Sequence, residues 1–390
     1  MKNNPASSNQ HPANSIQQPA SSKPHTFAEI NLDHLAHNLR QIRRRVTPVE
    51  IMAVVKADAY GHGAIPVARR LVAEGVRYFV VARVSEALEL REAGIHQSIL
   101  ILGSLFPDEI QAALKLDTEI TITNERDILI IEQQARNLRV KAKVHLHLDT
   151  GMGLVGIFPK QIVPIVKQIL NSSQIELKGI YSHFATSDEL DQNYAQEQLQ
   201  LFNSNLAAIK SAGIELPLIH MANTGAILQF PEAKFDMVRP GISLYGYCPN
   251  SKLVKNLELK PVMSLKSNVG VLRRFPQDYS VSYGRRYTTS RETTVAIVQI
   301  GYADGLQRAF TGKGEVMIQG KLYPIVGTVA MDQIGIEVGD DPIKIGDEVL
   351  FWGESAQGSI DLVRTAERIG TIPYELTCGV SKRVPRIYLP

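Results

Sequence analysis

The chain has 390 residues, 44% of them hydrophobic, with 42 Lys and Arg against 39 Asp and Glu and a formal net charge of +3. That is apolar mass enough for two buried cores, one of which could be a barrel, and so small a charge, dispersed except for Arg43 to Arg45, excludes the footprint of a nucleic-acid binder. Cys248 and Cys378 form neither a disulfide framework nor a cysteine zinc site, so a reducing cytoplasm is the expected location.

Residues 1–26 are rich in Ser, Asn, Gln and Pro and too poor in large apolar residues to pack, which predicts a disordered tail. The tail holds no apolar core for a signal peptide, and no later segment is long and apolar enough for a membrane span.

From about residue 50 to 246, eight short apolar runs alternate with helical patterns: "IMAVVKA", "YFVVA", "SILIL", "EITI", "KVHLHL", "KGIYSHF", "LPLIHM" and "FDMVRPGISLYG". Their starts lie roughly 20 to 38 residues apart, the spacing of repeated βα units, and stretches such as "GAIPVARRLVAEG" end helical periodicity on glycine. Eight such units predict a TIM-type (β/α)8 barrel over residues 27–258, with chemistry at the carboxyl ends of its strands; a doubly wound sheet is the rival. After about residue 260, β-branched runs broken by Gly, Pro and Asp predict a mainly β domain over 259–390. "SIDLVRTAERIG" is its one clear helix, capped by Ser359 or Asp361.

Lys56 falls where the first of these strands emerges. A lysine there either lays its stem on apolar surface and reaches water, or is held partly desolvated as a Schiff-base nucleophile or general base. Three constellations bear on the choice. Gly151, Gly153 and Gly156 match G-x-G-x-x-G with Glu176 twenty residues on, a dinucleotide fingerprint, but Asp149 and Thr150 intervene after the strand, and the element lies fifth in the strand series. Alternation puts His145, His147 and Asp149 on one strand face, and with His183 and His220 near later strand ends they suit a metal-dependent hydrolase. The third set covers more of the chain: Lys56 with Asn223, Thr224, Arg239, Gly241, Ile242, Tyr60 and Tyr374. A hydroxyl, phenols and backbone amides beside glycine make a phosphate cradle, which implies a phosphorylated carbonyl cofactor joined to Lys56.

Those residues, in "AVVKADAYGHG", "LDTGMG", "GIYSHFATSDE", "HMANTGAILQFP", "MVRPGISLYG", "VSYGRRYTT", "GYADGL", "GTVAMDQ" and "TIPYELTCGVSKRVPRIY", bring residues 27–390 close to alanine racemase, a pyridoxal-phosphate family with a barrel followed by a β domain. The resemblance implies a cytoplasmic homodimer that interconverts L- and D-alanine for peptidoglycan, with no metal. By the same resemblance Lys56 binds the cofactor's aldehyde and serves as base on the D face, and Tyr283 is the opposite base, reaching the site of the other subunit. Arg239 contacts the pyridine nitrogen and His183 braces it, while Tyr60, Thr224, Gly241, Ile242 and Tyr374 hold the phosphate. Met331 and Asp332 present backbone near the substrate carboxylate, and Tyr302 lines the entrance.

The chain departs from this pattern at two positions. After "DTGMG" the family has an arginine that contacts the catalytic tyrosine and the substrate carboxylate, and two residues before the aspartate it often has a lysine, commonly carbamylated, that orients that arginine; here stand Leu154 and His147. Losing a charge-assisted contact of this kind costs about 1.5–3 kcal/mol, roughly ten- to a hundredfold in rate. Arg308 and His147 are candidate substitutes, and a different or bulkier amino acid is the alternative substrate.

Overall fold

The computed structural model describes residues 24–253 and 257–390. Residues 1–23 of the expected tail lie outside them, and Thr26 is fastened, its hydroxyl 2.8 Å from both the Gln299 carbonyl, to which it donates, and the Ser267 hydroxyl.

Strand Phe27–Asn31, the first element among the described residues, does not enter the barrel: it pairs antiparallel with Met263–Phe275 and parallel with the last strand, Arg386–Leu389. Helix Leu32–Val46 then carries the chain across. The Asn31 side chain accepts from the His34 amide at 2.9 Å, Asp33 lies in the first turn, and Arg43, Arg44 and Arg45 fill the last, each matched to the helix dipole. The basic run is thus absorbed into a helix terminus, with the Arg45 guanidinium on the Ile227 carbonyl at 2.9 Å.

Eight parallel strands close the barrel: Glu50–Val54, Tyr78–Val81, Ser98–Ile101, Glu119–Ile122, Ala142–His147, Ile175–Tyr181, Leu218–His220 and Met237–Val238. Each lies within or overlaps one of the eight apolar runs, and the last pairs back with the first through Glu50 and Met237. Strand residues such as Val54, Val80, Leu100, Ile122 and Leu146 are buried, as expected of strands covered on both faces.

The second domain is built on a nine-stranded, mostly antiparallel sheet. An extra pairing of Glu348–Ser355 with Met263–Phe275 curls it on itself around Trp352 and Phe351. Helix Leu362–Ile369 begins at Asp361, whose carboxylate accepts from the amides of Val363 and Arg364, which settles the cap. A second helix, Pro373–Gly379, was not legible from periodicity; it packs against the turn that follows the first barrel strand.

Candidate active site

Lys56 stands half-buried at the mouth of the first barrel strand, and the four residues after it, Ala57 to Tyr60, all have left-handed backbone, φ +54°, +52°, +53° and +56°. Each such L-residue costs on the order of 1–2 kcal/mol, so the turn persists only because its surroundings fix it. The Ala57 amide donates to the Glu86 carboxylate at 2.6 Å, and the Ala64 amide to Asp58 at 2.7 Å. From the second domain, Arg386 donates to the carbonyls of Gly61, Ser381, Val384 and Val380 within 3.1 Å, tying the turn to the chain's last strand.

The turn aims Lys56 and Tyr60 into a cavity of about 280 Å3. His183, from the end of the sixth strand, Asn223 and Thr224 after the seventh, and Arg239, Gly241 and Ile242 after the eighth line it too, with Tyr374 and Cys378 from helix Pro373–Gly379. The nine residues read from sequence as a cofactor cradle therefore share one cavity at the carboxyl ends of the strands. Leu102 and Cys378 line it as well and carried no signal in the sequence.

One wall suits an anion. The Thr224 hydroxyl accepts from the Gly241 amide at 3.1 Å and lies 3.1 Å from the Ser243 hydroxyl, and Asn223 caps the following short helix through the Ala226 amide. A Cβ at Gly241 would stand 2.5 Å from the Tyr60 hydroxyl, so only glycine leaves this wall open. Burial raises both the Tyr60 and Tyr374 phenols far above their ordinary range, keeping them protonated donors.

Arg239 is buried opposite. It donates to the Ser182 and Met221 carbonyls at 2.8 and 3.1 Å, to His183 Nδ1 at 3.1 Å and to His220 Nδ1 at 2.6 Å. Burial draws its pKa down to about 10, which leaves it cationic at neutral pH. Burial first, then Arg239 and His147, lowers His183 to about 3, so its ring is a neutral acceptor.

The two alternative motifs resolve otherwise. Gly151, Gly153 and Gly156 all have positive φ in a turn folded on Asp149, whose carboxylate accepts from the Gly151 and Gly153 amides at 2.9 and 3.1 Å; no helix starts on it directly. The histidines converge on a guanidinium: His183 and His220 accept from Arg239, while His145 binds Glu119 and His220. A permanent cation at that point opposes a metal ion, and among the described residues no group of three or more His, Cys, Asp or Glu is placed to hold one. His147 stacks on Tyr181, ring centroids 4.5 Å apart, with neither ring nitrogen hydrogen-bonded, and burial lowers it to about 4.

Tyr283, Met331, Asp332, Tyr302 and Leu154 do not line the Lys56 cavity. Tyr283 is 74% exposed, its carbonyl held by the Thr328 hydroxyl at 2.7 Å beside the loop bearing Met331 and Asp332. The Tyr302 amide joins the same loop at the Ala330 carbonyl, and the Asp332 carboxylate pairs with Arg383 at 2.8 Å. Leu154 is 75% exposed on the glycine turn, and Arg308 is exposed on a short 3-10 turn outside the cavity. Both cysteines are free.

A TIM-type barrel with a lysine ending its first strand, over an arginine and an anion wall completed by a β domain, defines a two-domain barrel enzyme. The alanine racemase N-terminal domain family matches residues 30–249 and the alanine racemase C-terminal domain family residues 262–388. The alanine racemase of Halothermothrix orenii is 41% identical over 365 residues, 93% of this chain and 96% of that protein, and that of Treponema denticola is 44% identical over 375 residues, 93% and 98%. The solved alanine racemase of D-cycloserine-producing Streptomyces lavendulae superposes with a TM-score of 0.91 at 34% identity, over 95% of this chain and 98% of that one. The chain belongs to the alanine racemase family and is an isomerase.

Proposed function

We propose that the protein interconverts L- and D-alanine with pyridoxal 5′-phosphate held in the Lys56 cavity. The observation that carries this reading is the convergence of Lys56, Arg239 and the Tyr60, Thr224, Gly241 and Tyr374 wall on one cavity, where the space kept by Gly241 suits a phosphate. The cofactor, when bound, supplies an electron sink that acidifies the amino acid's Cα.

The chain's own residues do the rest. Lys56 anchors the cofactor through its amine and, once released, moves the proton on the D face. Tyr60, Thr224 and Tyr374 with the backbone at Gly241 and Ile242 hold the phosphate, and Asn223 fixes the turn bearing Thr224. Arg239 donates a hydrogen bond to the ring nitrogen without giving up its proton, which restrains the sink and so limits diversion into transamination. His183 braces Arg239 through Nδ1.

Tyr283 moves the proton on the L face. Its exposure outside the cavity supports a homodimer in which Tyr283 of one copy completes the site of the other, with Met331 and Asp332 backbone near the substrate carboxylate and Tyr302 at the entrance. Among the described residues no helix is long and apolar enough to cross a membrane; a cytoplasmic enzyme supplying D-alanine for peptidoglycan fits the reading.

A broader amino-acid range is the second reading, favoured by Leu154 on the glycine turn and by the unbonded His147 ring. Proton NMR of L-alanine and a panel of L-amino acids with the protein and pyridoxal phosphate in heavy water, followed by chiral analysis, tests both. Loss of the α-proton signal with appearance of the D-enantiomer supports a racemase, and the best substrate chooses between alanine and the broader range. No exchange by protein that holds the cofactor would refute both.

A further inference from the structure

Arg239 is buried with four hydrogen-bond acceptors, yet none of them is a carboxylate. A permanent charge taken out of water calls for a counter-charge, and a line of hydrogen bonds across the barrel interior leads to one. Arg239 Nη1 lies 2.6 Å from His220 Nδ1, His220 Nε2 lies 2.8 Å from His145 Nδ1, and His145 Nε2 lies 2.8 Å from a Glu119 carboxylate oxygen. Glu119 begins the fourth barrel strand, at the amino-terminal mouth opposite the cavity, and its other oxygen accepts from the Ser98 hydroxyl.

Neutral imidazoles admit one arrangement of protons along this line. A guanidinium only donates, so His220 Nδ1 must accept. The His220 proton is then on Nε2 and is given to His145 Nδ1, which leaves the His145 proton on Nε2, directed at an ionised Glu119. The surroundings agree: the Tyr181 ring stacks on His220 with centroids 4.9 Å apart, and a Cβ at Gly179 would stand 2.4 Å from His145 Nδ1, so that glycine leaves room for the imidazole pair. Burial pushes the Glu119 carboxyl up, but the hydrogen bonds from His145 and Ser98 bring it below its ordinary value, and burial together with Arg239 holds His220 far below its own. Lys178 also bears on Glu119 but is paired with Glu176 at 3.4 Å.

We infer that Glu119 is the counter-charge of Arg239 and a positioning residue for the racemase site, acting through His145 and His220 to hold the guanidinium as a fixed donor toward the cavity. The inference rests on the reading of Arg239 as the partner of the cofactor nitrogen. Polarisation along the two rings tempers the positive charge that this nitrogen meets, so Glu119 sets the strength of the electron sink from the far side of the barrel.

Nitrogen-15 NMR of labelled histidine in the cofactor-free protein reads the proton placement directly. His145 and His220 should both carry their proton on Nε2, and His220 should stay neutral from about pH 5.5 to 8, because burial and Arg239 oppose a second proton there. A proton on Nδ1 at either position, or titration of His220 in that window, overturns the relay. Glu119→Gln keeps an oxygen for His145 and removes the charge, whereas Glu119→Asp keeps the charge and shortens the reach. Losing the counter-charge releases the guanidinium from its fixed place as a donor, which predicts that kcat falls about tenfold or more in the Gln variant with KM within about twofold, that the cofactor absorption moves in its pH profile, and that Asp retains more activity than Gln. A folded Gln variant with wild-type kcat and absorption, or one more active than Asp, overturns the role. Protein that binds no pyridoxal phosphate defeats the function reading instead, while the NMR measurement still reads the relay.

Discussion

The rings of Tyr60 and Tyr374 lie 5.9 Å apart, centroid to centroid, although the first follows a barrel strand and the second sits on a helix of the β domain. Tyr60 also packs 4.9 Å from Tyr245 of its own domain, and its pairing with Tyr374 is a contact between the domains as well as part of the cavity wall. Both phenols are kept protonated by burial, so each offers a hydroxyl to an anion. Tyr374→Phe should keep the fold and weaken pyridoxal phosphate binding roughly tenfold or more, the loss expected for a hydrogen bond to a charged group. Equilibrium dialysis checks it; unchanged affinity would remove Tyr374 from the cradle.

Lys56→Ala should abolish the absorption band of the lysine-linked cofactor while leaving some non-covalent uptake, since the anion wall remains. Racemisation should fall on the order of a thousandfold or more. A wild-type band in the variant would mean that another amine carries the cofactor.

Gly61 has φ +80°, and a Cβ there would stand 2.1 Å from the Thr377 carbonyl oxygen on the helix that carries Tyr374. Gly61→Ala combines strain with a backbone clash and should destabilise by about 1–3 kcal/mol. Because the clash pushes the β domain from the Lys56 turn, cofactor affinity should fall with Tm. Calorimetry with and without cofactor reads both; a variant as stable as the parent would show that the contact is slack.

Acid should unfold the protein partly through its buried histidines. Burial lowers His62 and His147 to about 4 and His183 to about 3. Unfolded, each binds a proton near pH 6.5; folded, each resists until about pH 4 or 3. The unfolded state therefore holds more protons in between, and stability, complete above about pH 6.5, drops as pH falls by up to about 1.4 kcal/mol per pH unit per histidine. His147→Phe keeps a ring on Tyr181 and removes one such group, so its stability should fall less steeply between about pH 6 and 4. Parallel slopes in urea titrations of parent and variant would refute the assignment.

The barrel was legible because each of its strands lies within or overlaps an apolar run, and helices between them such as Ala64–Ala73 and Val84–Glu92 end close to a glycine of positive φ. The cradle was legible because its residues sit at strand ends that the barrel brings together. Helix Pro373–Gly379 escaped because seven residues carry too little periodicity, and Cys378 came into the cavity unannounced with it. Strand Phe27–Asn31 precedes the barrel in sequence yet pairs in the other domain, a non-local register that no local pattern records. The left-handed turn at Ala57 to Tyr60 was invisible for a stronger reason: its residues have no intrinsic preference for it, and the Glu86 carboxylate and the Arg386 guanidinium, both distant in sequence, hold it and the adjoining Gly61 in place.

The pair Leu154 and His147 offers the sharpest test of specificity. Leu154 stands exposed on a turn fixed by Asp149, and His147 is buried, stacked and unbonded, so neither position now supplies charge to an amino-acid carboxylate. Leu154→Arg returns a guanidinium, but alone it lacks a group to orient it; His147→Lys alone places an ammonium in a site where burial and Arg239 already oppose a charge. Once carbon dioxide carbamylates the new lysine, the opposed ammonium becomes an anion that can orient the guanidinium, so the double variant should exceed the sum of the singles, with an interaction free energy of about 0.5–3 kcal/mol, and should raise kcat/KM for alanine about tenfold while narrowing the substrate range. A double-mutant cycle on kcat/KM across the amino-acid panel measures this. Additive effects would mean that the two positions do not act together, and an unchanged panel would mean that the leucine does not set the substrate.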